Sequence, residues 1–490
     1  MNVKILIYFL IFTISAFQII IGQNNVQNAL TEFQKKSAFS NASISFCALD
    51  MEKDSLIAQL NPQLSLPPAS ITKLFSTATA FEILGGNYKP STRIYFEGQI
   101  DPNGILQGNI WIRGGGDASL GSKYYTKEGA ESDFLKKWAD TLSKLGLKGI
   151  NGAIIGDASE FGYAGVPDGW SWSDMGNYYG AGPSGLVIYD NMIRFNFKTG
   201  SFAGAKTELI SSFPSVQGIQ FHNYITSSKK NSDNSFIFGA PYSLDRFGTG
   251  TLPINSKAFT VKGSLPDPEL QVAVEFEKIL AERGINSLQK AKTVRQNDNC
   301  TLVHKYGKDF QLVYTHMGES VKSLAFHTNM KSVNLFAEEL LCLTGYKLTG
   351  DGSTENALIQ TEKYWKSKIN LNGFYLKDGS GLSRSNAISA KHFCDLLTAM
   401  SKSVNYLDFK STLPIAGVCG TLTGVCSNQL GQGRVVAKSG TMNRIKAYSG
   451  YVDSISGKKI AFAIIVNNFN CSSNEVVQEM EKIFNAMANY

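Results

Sequence analysis

The chain has 490 residues, of which 43% are hydrophobic and 46 are glycine. It is too rich in apolar residues to be disordered, and it is long enough for two or three globular domains. Its 47 Lys and Arg residues against 40 Asp and Glu residues give a formal charge of +7. No block of basic residues is interleaved with aromatic ones, which argues against a nucleic-acid partner.

The N-terminal segment is typical of a signal peptide. Lys4 places one positive charge before an apolar run, Ile5 to Ile21, and the chain turns polar at Gln23. The ending Ile20-Ile21-Gly22 is a poor cleavage site, so an uncleaved anchor is the alternative to a signal peptide at residues 1–22. We therefore expect an exported, periplasmic protein, with membrane association as the alternative.

The cysteines indicate structural thiols rather than a metal site. Their number, seven, is odd, so at least one stays unpaired in an oxidising compartment. Cys419 and Cys426 flank a glycine-containing loop that a disulfide could close. Cys47, Cys342 and Cys394 lie in apolar surroundings and are expected to be buried thiols. No CxxC or Cys/His spacing indicates a metal ligand set, and we predict no cofactor.

The first elements after the leader are a hairpin and a helix. Alternating residues from Ser43 to Leu49, a turn, and Ser55 to Leu60 predict two paired strands. Pro67-Pro68 then precedes a helical run that Gly85-Gly86 ends. Ser70 lies at the start of this helix, where developing negative charge is favoured.

The middle of the chain, from about Tyr88 to Val303, has many short strand-like runs with glycine turns. Helices are predicted near Glu131 to Lys148 and Leu270 to Arg283. We interpret residues 89–309 as a large insertion, with two subdomains expected. Gly114-Gly115-Gly116 within it lacks a P-loop lysine and is interpreted as a turn.

The last third of the sequence predicts part of an α/β domain. Its predicted elements are helices at Leu324–Leu343, His392–Lys402 and Glu475–Met487, a strand at Val435–Ala437, and a hairpin of Ala447–Val452 with Lys459–Asn467. Strands at both ends of the sequence, with helices around them, predict one domain formed by residues 24–88 and 310–490 and split by the insertion.

Ser70 and Lys73 are the candidate catalytic pair. Three residues is nearly one helical turn, so both side chains lie on one face, and a neutral lysine amine there can take the serine proton. The pattern alone is weak, because Ser227, Ser287 and Ser456 also have a lysine three residues on. Only Ser70 combines a proline-led helix start with an apolar helix face.

Two companion motifs follow in chain order. Ser332-Val333-Asn334 begins an apolar helical stretch that can hold two polar side chains at a cleft edge. Lys438-Ser439-Gly440-Thr441 follows a short apolar strand, the setting of an edge strand that binds an extended peptide. Lys198-Thr199-Gly200 lies inside the insertion and is interpreted as a turn. The ordered set is that of penicillin-binding proteins and β-lactamases.

The sequence resembles the low-molecular-mass class C penicillin-binding proteins, which are D-alanyl-D-alanine carboxypeptidases and endopeptidases of the peptidase S13 family. The likeness also includes Asp378-Gly379-Ser380-Gly381-Leu382-Ser383-Arg384, Leu413-Pro414-Ile415-Ala416-Gly417 ahead of Gly420-Thr421-Leu422, and Gly114-Gly115-Gly116-Asp117. It implies an α/β transpeptidase fold of the penicillin-binding-protein/β-lactamase type: an antiparallel sheet flanked by helices and split by a β-rich insertion. Ser439 stands where the family usually has threonine, and Cys419 where it often has aspartate.

The resemblance implies cleavage of peptidoglycan stem peptides, with β-lactams as covalent inhibitors. Ser70 would attack the carbonyl between two D-alanines with Lys73 as general base, and Ser332 would relay the proton to the leaving amine. The acyl-enzyme would then be resolved by water.

The other implied roles concern binding. Asn334 would hold Lys73 and the substrate amide. Lys438 would keep Lys73 neutral and attract the terminal carboxylate, which Ser439 and Thr441 would hydrogen-bond. Gly440 allows close backbone approach, and the N–H groups of Ser70 and Thr441 would form the oxyanion hole. Further substrate contacts are expected at Arg384, Asn443, Asp157 and Phe161.

Three alternatives were weighed. A β-lactamase shares the motifs but is rarely this long. A catalytically inactive, peptidoglycan-binding homologue would have little reason to keep every motif side chain. A Ser-His-Asp hydrolase is disfavoured, since the sequence has no Gly-x-Ser-x-Gly and none of its five histidines lies in a recognisable catalytic motif.

Overall fold

A computed structural model describes residues 25–296 and 306–490 of the chain. The predicted signal peptide and Cys300 lie outside these residues. The chain divides into two compact units. The first comprises residues up to Glu82 together with Ala325–Ser332 and Thr361–Tyr490, and the second comprises Ile83–Leu324 and Val333–Gln360. The chain therefore leaves the first unit after Glu82 and again after Ser332.

The structure contains both helices and strands, as the mixed α/β prediction requires. The helices are α1 (25–34), α2 (Lys73–Ile83), α3 (Asp133–Lys144), α4 (Trp172–Met175), α5 (Pro268–Glu282), α6 (Val321–Met330), α7 (Asn334–Thr349), α8 (Thr354–Lys366), α9 (Ala390–Ser401), α10 (Tyr406–Ser411) and α11 (Ser473–Ala488). The strands are β1 (Ser43–Asp50), β2 (Ser55–Leu60), β3 (Ser91–Glu97), β4 (Gln99–Ile100), β5 (Ile105–Gln107), β6 (Ile110–Arg113), β7 (Gly149–Ile150), β8 (Ile154–Asp157), β9 (Met192–Lys198), β10 (Glu208–Phe213), β11 (Gln220–Asn223), β12 (Thr226–Ser228), β13 (Asn234–Phe238), β14 (Asp245–Pro253), β15 (Phe259–Ser264), β16 (Asn286–Ser287), β17 (Lys292–Thr293), β18 (Phe310–Met317), β19 (Val435–Met442), β20 (Ile445–Asp453) and β21 (Lys459–Asn467).

The first unit is built on one five-stranded antiparallel sheet in the order β19-β20-β21-β1-β2. Strand β21 is central and almost entirely buried, because its run of apolar residues is covered on both faces. Its even-numbered side chains pack with α1 and α11, and the backbone oxygen of Ala461 accepts a hydrogen bond from Cys394 Sγ of α9. The sheet therefore joins segments from near both ends of the sequence, and β19 is one of its two edge strands.

The second unit is rich in β structure. Its sheets have the orders β10-β9-β15, β11-β14-β12 with β13 also paired to β14, β16-β7-β5-β4, and β17-β8-β6-β3-β18. Helices α3 and α5 contribute Trp138 and Phe276 to the main hydrophobic core of this unit, where the two rings meet edge to face. Many short strands with glycine turns are what the sequence predicted for this region.

Three predictions about the elements need correction. The helix expected over Leu324–Leu343 is two helices, because Ser332 adopts a left-handed φ of +59° that no helix continues through. The strand expected at Val435–Ala437 extends to Met442. The disulfide considered between Cys419 and Cys426 is not formed, and both are free thiols.

Helix α1 was not predicted, because its segment is polar overall. Val26, Leu30 and Phe33 follow the four- and three-residue spacing of one helix face, and all three are buried. This spacing is the feature of the sequence from which α1 could have been predicted. Phe33 stacks on Phe39 with the ring centroids 4.2 Å apart, which fixes the end of the helix against the sheet core.

Candidate active site

Ser70 lies in the 3₁₀ turn Ala69–Thr72 that leads directly into α2. Ala69 has a φ of +51°, a left-handed conformation that is strained for a residue with a Cβ and is often found at functional sites. Lys73 is fully buried, and its Nζ donates to Ser70 Oγ at 2.9 Å and to Ser380 O at 2.7 Å. A neutral amine at this place could accept the Ser70 proton directly.

The other Ser-x-x-Lys pairs have different surroundings. Ser227 Oγ accepts from Gly200 N at 2.8 Å, Ser287 Oγ donates to Glu277 Oε1 at 2.7 Å, and Ser456 Oγ lies 3.0 Å from Ser454 Oγ. Of these four pairs, all within the described part of the chain, Ser70 is the one whose hydroxyl bonds to its lysine.

A second lysine and serine meet in the same unit. Lys438 of β19 is fully buried, and its Nζ donates to Ser332 Oγ at 2.9 Å and to Ser439 O at 2.8 Å. Burial, then the positive charges of Lys73 and Lys446, hold the pKa of Lys438 well below its ordinary value of 10.5. Because repulsion between two lysines is mutual, the pair together releases a proton more readily than either would alone.

The break between α6 and α7 places Ser332 in this arrangement. A continuous helix would need a right-handed φ at Ser332, whereas its φ of +59° turns the chain between the two helices. Such a conformation costs about 1–3 kcal/mol in a residue with a side chain. The strain coincides with the hydroxyl that binds Lys438, as is common at functional sites.

Strand β19 approaches the backbone of Ser70 at Gly440. A Cβ at Gly440 would lie 2.7 Å from Pro68 O and 3.1 Å from Ser70 N, so only glycine fits without displacement. The neighbouring Ser439 Oγ donates to Thr421 Oγ1 at 2.8 Å. Thr441 is exposed, and its Oγ1 accepts from Lys446 Nζ at 2.8 Å. The strand thus combines a close contact at the serine with accessible polar groups further along.

The loop from Asp378 to Asn386 supports Lys73 through a backbone carbonyl. The buried Asp378 carboxylate accepts hydrogen bonds from Gly381 N at 2.8 Å, Ser383 N at 2.7 Å and Asn386 Nδ2 at 2.8 Å. Ser76 Oγ of α2 donates to Gly379 O at 2.6 Å, which ties this loop to the helix that carries Lys73. The carbonyl of Ser380 is thereby fixed where Lys73 Nζ binds it.

Two of the predicted substrate contacts are exposed side chains of the first unit. Arg384 lies in the loop that Asp378 organises. Asn443 lies in the two-residue turn between β19 and β20, next to Arg444 with its φ of +57°. Both side chains are accessible to a ligand.

Asn334 belongs to the second unit. It is the first residue of α7, and its Nδ2 donates to Tyr179 O at 2.7 Å. This bond uses one of the two amide hydrogens of Asn334 and orients the side chain. The Ser-x-Asn motif is therefore divided between the two units, with Ser332 in the first.

Asp157 and Phe161, also in the second unit, are buried. Asp157, at the end of β8, accepts from Tyr306 OH at 2.8 Å and from Ser159 N at 2.9 Å. Phe161 packs in a small cluster with Cys342 and Leu343 of α7. Within their unit, both side chains take part in internal packing and hydrogen bonding.

Sequence reasoning did not assign three groups that the geometry connects to the site. Ser380 O and Thr421 Oγ1 lie in segments that carry the family resemblance, yet their contacts depend on loop conformation. Lys446 is in no motif. The two-residue turn at Asn443 and Arg444 could have identified Lys446, because counting outward along both strands from that turn pairs Thr441 with Lys446.

Across residues 25–296 and 306–490, no group of three or more His, Cys, Asp and Glu side chains could hold a metal ion. In the same residues, none of the helices has both the length and the apolar character needed to cross a bilayer.

The fold is shared with a solved penicillin-binding protein. The crystal structure of penicillin binding protein 4 (dacB) from Haemophilus influenzae superimposes with a TM-score of 0.80 at 22% identity, covering 94% of this chain and 99% of that one. The same protein in complex with a β-lactam superimposes with a TM-score of 0.75. These matches confirm the penicillin-binding-protein type of α/β fold.

The sequence relatives are named as carboxypeptidases. D-alanyl-D-alanine carboxypeptidase of Actinomadura sp. (strain R39) is 26% identical over 428 residues, which cover 84% of this chain and 76% of the relative. D-alanyl-D-alanine carboxypeptidase DacB of Haemophilus influenzae is 25% identical over 469 residues, or 92% of each chain. The profile of the D-Ala-D-Ala carboxypeptidase 3 (S13) family matches residues 26–489. Since this match spans nearly the whole sequence, the chain belongs to the D-Ala-D-Ala carboxypeptidase 3 (S13) family.

Proposed function

We propose that this protein is a serine D-alanyl-D-alanine carboxypeptidase that acts on peptidoglycan stem peptides, with endopeptidase cleavage of cross-links as a second reaction of the same site. The observation that carries the proposal is the 2.9 Å contact between the buried Lys73 Nζ and Ser70 Oγ. Family membership supports the reaction class, and this contact supplies a nucleophile with its base.

The reaction begins with attack of Ser70 Oγ on the carbonyl carbon between the two terminal D-alanines. The hydroxyl proton passes to Lys73 Nζ as the C–O bond forms, and the C–N bond then breaks. The leaving amine takes up the proton that Lys73 received, relayed through Ser332, whose Oγ is bonded to Lys438 Nζ, and Lys73 is then neutral again. Water then hydrolyses the ester on Ser70 and releases the shortened peptide.

The basicity of Lys73 depends on its environment. Two buried lysines that repel each other favour loss of one proton, and we place the neutral amine on Lys73, because that nitrogen contacts the nucleophile. Lys438 then keeps its proton while it binds Ser332.

The substrate is expected to lie along β19 in an extended conformation. The N–H groups of Ser70 and Thr441 form the proposed oxyanion hole, where one donor is typically worth about 3 kcal/mol. Thr441 offers its hydroxyl to the terminal carboxylate, and Ser439 joins it once its hydroxyl hydrogen turns away from Thr421 Oγ1. Arg384 and Asn443 are accessible for the rest of the peptide. Asn334, Asp157 and Phe161, in the second unit, stay predictions from the resemblance, and single alanine variants would test each.

The setting of the enzyme is also a proposal. Residues 24–88 and 310–490 would form the catalytic domain and residues 89–309 the insertion. The apolar run after Lys4 supports export, with the periplasm as the working compartment. β-Lactams would acylate Ser70, because they present a strained amide to the same nucleophile.

Labelled penicillin tests the nucleophile. Incubating the mature protein with it should give one covalent adduct on Ser70, located by mass spectrometry of the digested protein, and Ser70→Ala should give none. The matched control is Ser456→Ala, which alters another Ser-x-x-Lys serine and should label as the parent does. A folded parent protein that forms no adduct would rule out the proposed function.

A hydrolysis assay distinguishes the reactions. Release of D-alanine from a pentapeptide ending in D-Ala-D-Ala is expected, and cleavage of a cross-linked dimer would show the endopeptidase reaction. Rapid turnover of a cephalosporin without peptide cleavage would instead identify a β-lactamase. Acylation without turnover of any substrate would identify a peptidoglycan-binding homologue.

A further inference from the structure

Lys446 is a half-buried lysine beside the substrate strand that no sequence motif contains. It lies on β20 directly opposite Thr441 of β19, and its Nζ donates to Thr441 Oγ1 at 2.8 Å. Burial lowers the pKa of Lys446 from its ordinary 10.5. The same Nζ lies 5.2 Å from the centroid of the Tyr448 ring, so Thr441 Oγ1 and this aromatic face together hold the amine beside the substrate strand.

The charge of Lys446 has no balancing carboxylate. Among the described residues, no Asp or Glu oxygen lies within 4.0 Å of its Nζ in an ion pair. Its positive charge instead acts on Lys438, whose pKa is lowered first by burial and then by the charges of Lys73 and Lys446. With Lys73 neutral, as proposed above, Lys438 and Lys446 remain as two interacting amines beside β19, and such a pair favours the approach of an anion.

Lys438 and Lys446 differ in what they can reach. Lys438 is fully buried and already bonds to Ser332 Oγ and Ser439 O. Lys446 is only half buried, and its partner Thr441 is exposed. Because Lys446 donates to Thr441 Oγ1, the hydroxyl hydrogen of Thr441 stays free to donate to another acceptor. A cation and an O–H donor are thus presented side by side.

We propose that Lys446 determines specificity by binding the free carboxylate next to the scissile bond, jointly with Thr441. This inference rests on the proposed function and deepens it, since it adds Lys446 to the groups that bind the terminal carboxylate. The recognised chemistry is a carboxylate on the carbon that carries the leaving nitrogen. Substrates in which this group is amidated would lose the charge-assisted hydrogen bond.

The experiment uses two thioesters of an N-acyl-D-alanine, one whose leaving group carries a carboxylate and one in which that carboxylate is an amide. Thioesters are reactive enough that the poorer substrate stays measurable. In Lys446→Met, kcat/KM for the carboxylate substrate should fall about 10- to 100-fold, whereas kcat/KM for the amide should change less than threefold. The preference for carboxylate, measured as the ratio of the two kcat/KM values, should therefore disappear. A purely structural role for Lys446 would leave this ratio unchanged.

Two further variants test whether the positive charge at position 446 is responsible. Lys446→Arg keeps the charge and should restore most of the preference, and Lys459→Met, an exposed lysine at the start of β21, should behave as the parent protein does. High salt should reduce the ratio of kcat/KM for the carboxylate thioester to that for the amide more in the parent protein than in Lys446→Met.

Equal losses of kcat/KM on both thioesters in Lys446→Met would overturn the inference, as would an unchanged carboxylate preference. Either result could occur while labelled penicillin still acylates Ser70 of the parent protein, so failure here is distinguishable from failure of the proposed function. If Lys446→Met does not fold, the charge-preserving Lys446→Arg and the salt dependence of the parent protein decide the question.

Discussion

The chemistry at Ser70 depends on where a few atoms of β19 lie. Gly440 is the closest neighbour of the serine backbone on this strand, with its Cβ position 3.1 Å from Ser70 N. That N–H is one of the two proposed oxyanion donors, and its direction must match the oxygen of the transition state. A side chain at position 440 would therefore act on the reaction rather than on the fold.

Gly440→Ala is expected to lower the rate constant of acylation by labelled penicillin about 100-fold, because the added methyl group separates β19 from Pro68 O and Ser70 N. The matched control is Gly424→Ala, since a Cβ there meets no atom within 4 Å. Stopped-flow or quench measurements on both variants check this. Acylation of Gly440→Ala at the parent rate would show that the close contact has no catalytic consequence.

The loop from Asp378 to Asn386 shows how a segment far along the chain from Lys73 positions this proposed base. Lys73 Nζ bonds to Ser380 O, and Ser380 is held by a loop that one buried carboxylate organises. The stability of this loop and the position of the lysine are therefore linked. A change at Asp378 should affect both.

Asp378→Ala leaves several buried donors without an acceptor, each costing about 1–3 kcal/mol. We expect the free energy of unfolding to fall by about 3 kcal/mol or more, and acylation of Ser70 to slow at least tenfold at temperatures where the variant is folded. Thermal denaturation and penicillin labelling measure the two effects. Glu362→Ala, at an exposed site of α8, is the control. Normal stability in Asp378→Ala would mean that water replaces the carboxylate.

Buried carboxyl groups of the second unit make the stability of the protein depend on pH. Asp117 is almost entirely buried, and burial raises its pKa from 3.8 to about 6. The folded state therefore holds this proton more tightly than the unfolded chain. The stability from the neutral carboxyl is fully present below pH 3.8 and is lost as the pH rises through about 6. His316 Nε2 lies 3.9 Å from Asp117 Oδ2, and burial lowers the pKa of this histidine.

Asp117→Asn removes this titration. As the pH rises from 4 to 7.5, the free energy of unfolding of the variant should increase by about 3 kcal/mol relative to that of the parent protein. The reason is that only the parent protein must ionise a buried carboxyl over this range. Urea unfolding of both proteins at several pH values measures the difference, with the exposed Asp133→Asn as control. A difference that stays constant over this range would show that Asp117 does not titrate in the folded protein.

Much of the site was predictable because its chemistry is local in sequence. Ser70 and Lys73 are one helical turn apart, and the strands around Lys438 alternate or run apolar in ways that any sheet requires. Ser332 was identified by the apolar helical stretch that follows it and by the order of the motifs, and the resemblance added its expected role. The helix break at Ser332 could not be predicted, since Lys331-Ser332-Val333 contains no glycine or proline and the contact of Ser332 with Lys438 is distant in sequence.

What the sequence determined about this protein is its class, its family and the residues that can react, since these depend on residue type and short spacing. The tertiary structure decided which of four Ser-x-x-Lys pairs brings an amine to a hydroxyl, and it brought Lys438 to Ser332 across 106 residues of chain. It also placed Lys446 beside Thr441. The physical reason is that hydrogen bonds and charge repulsion act over a few ångströms in space, and distance along the chain does not specify that separation.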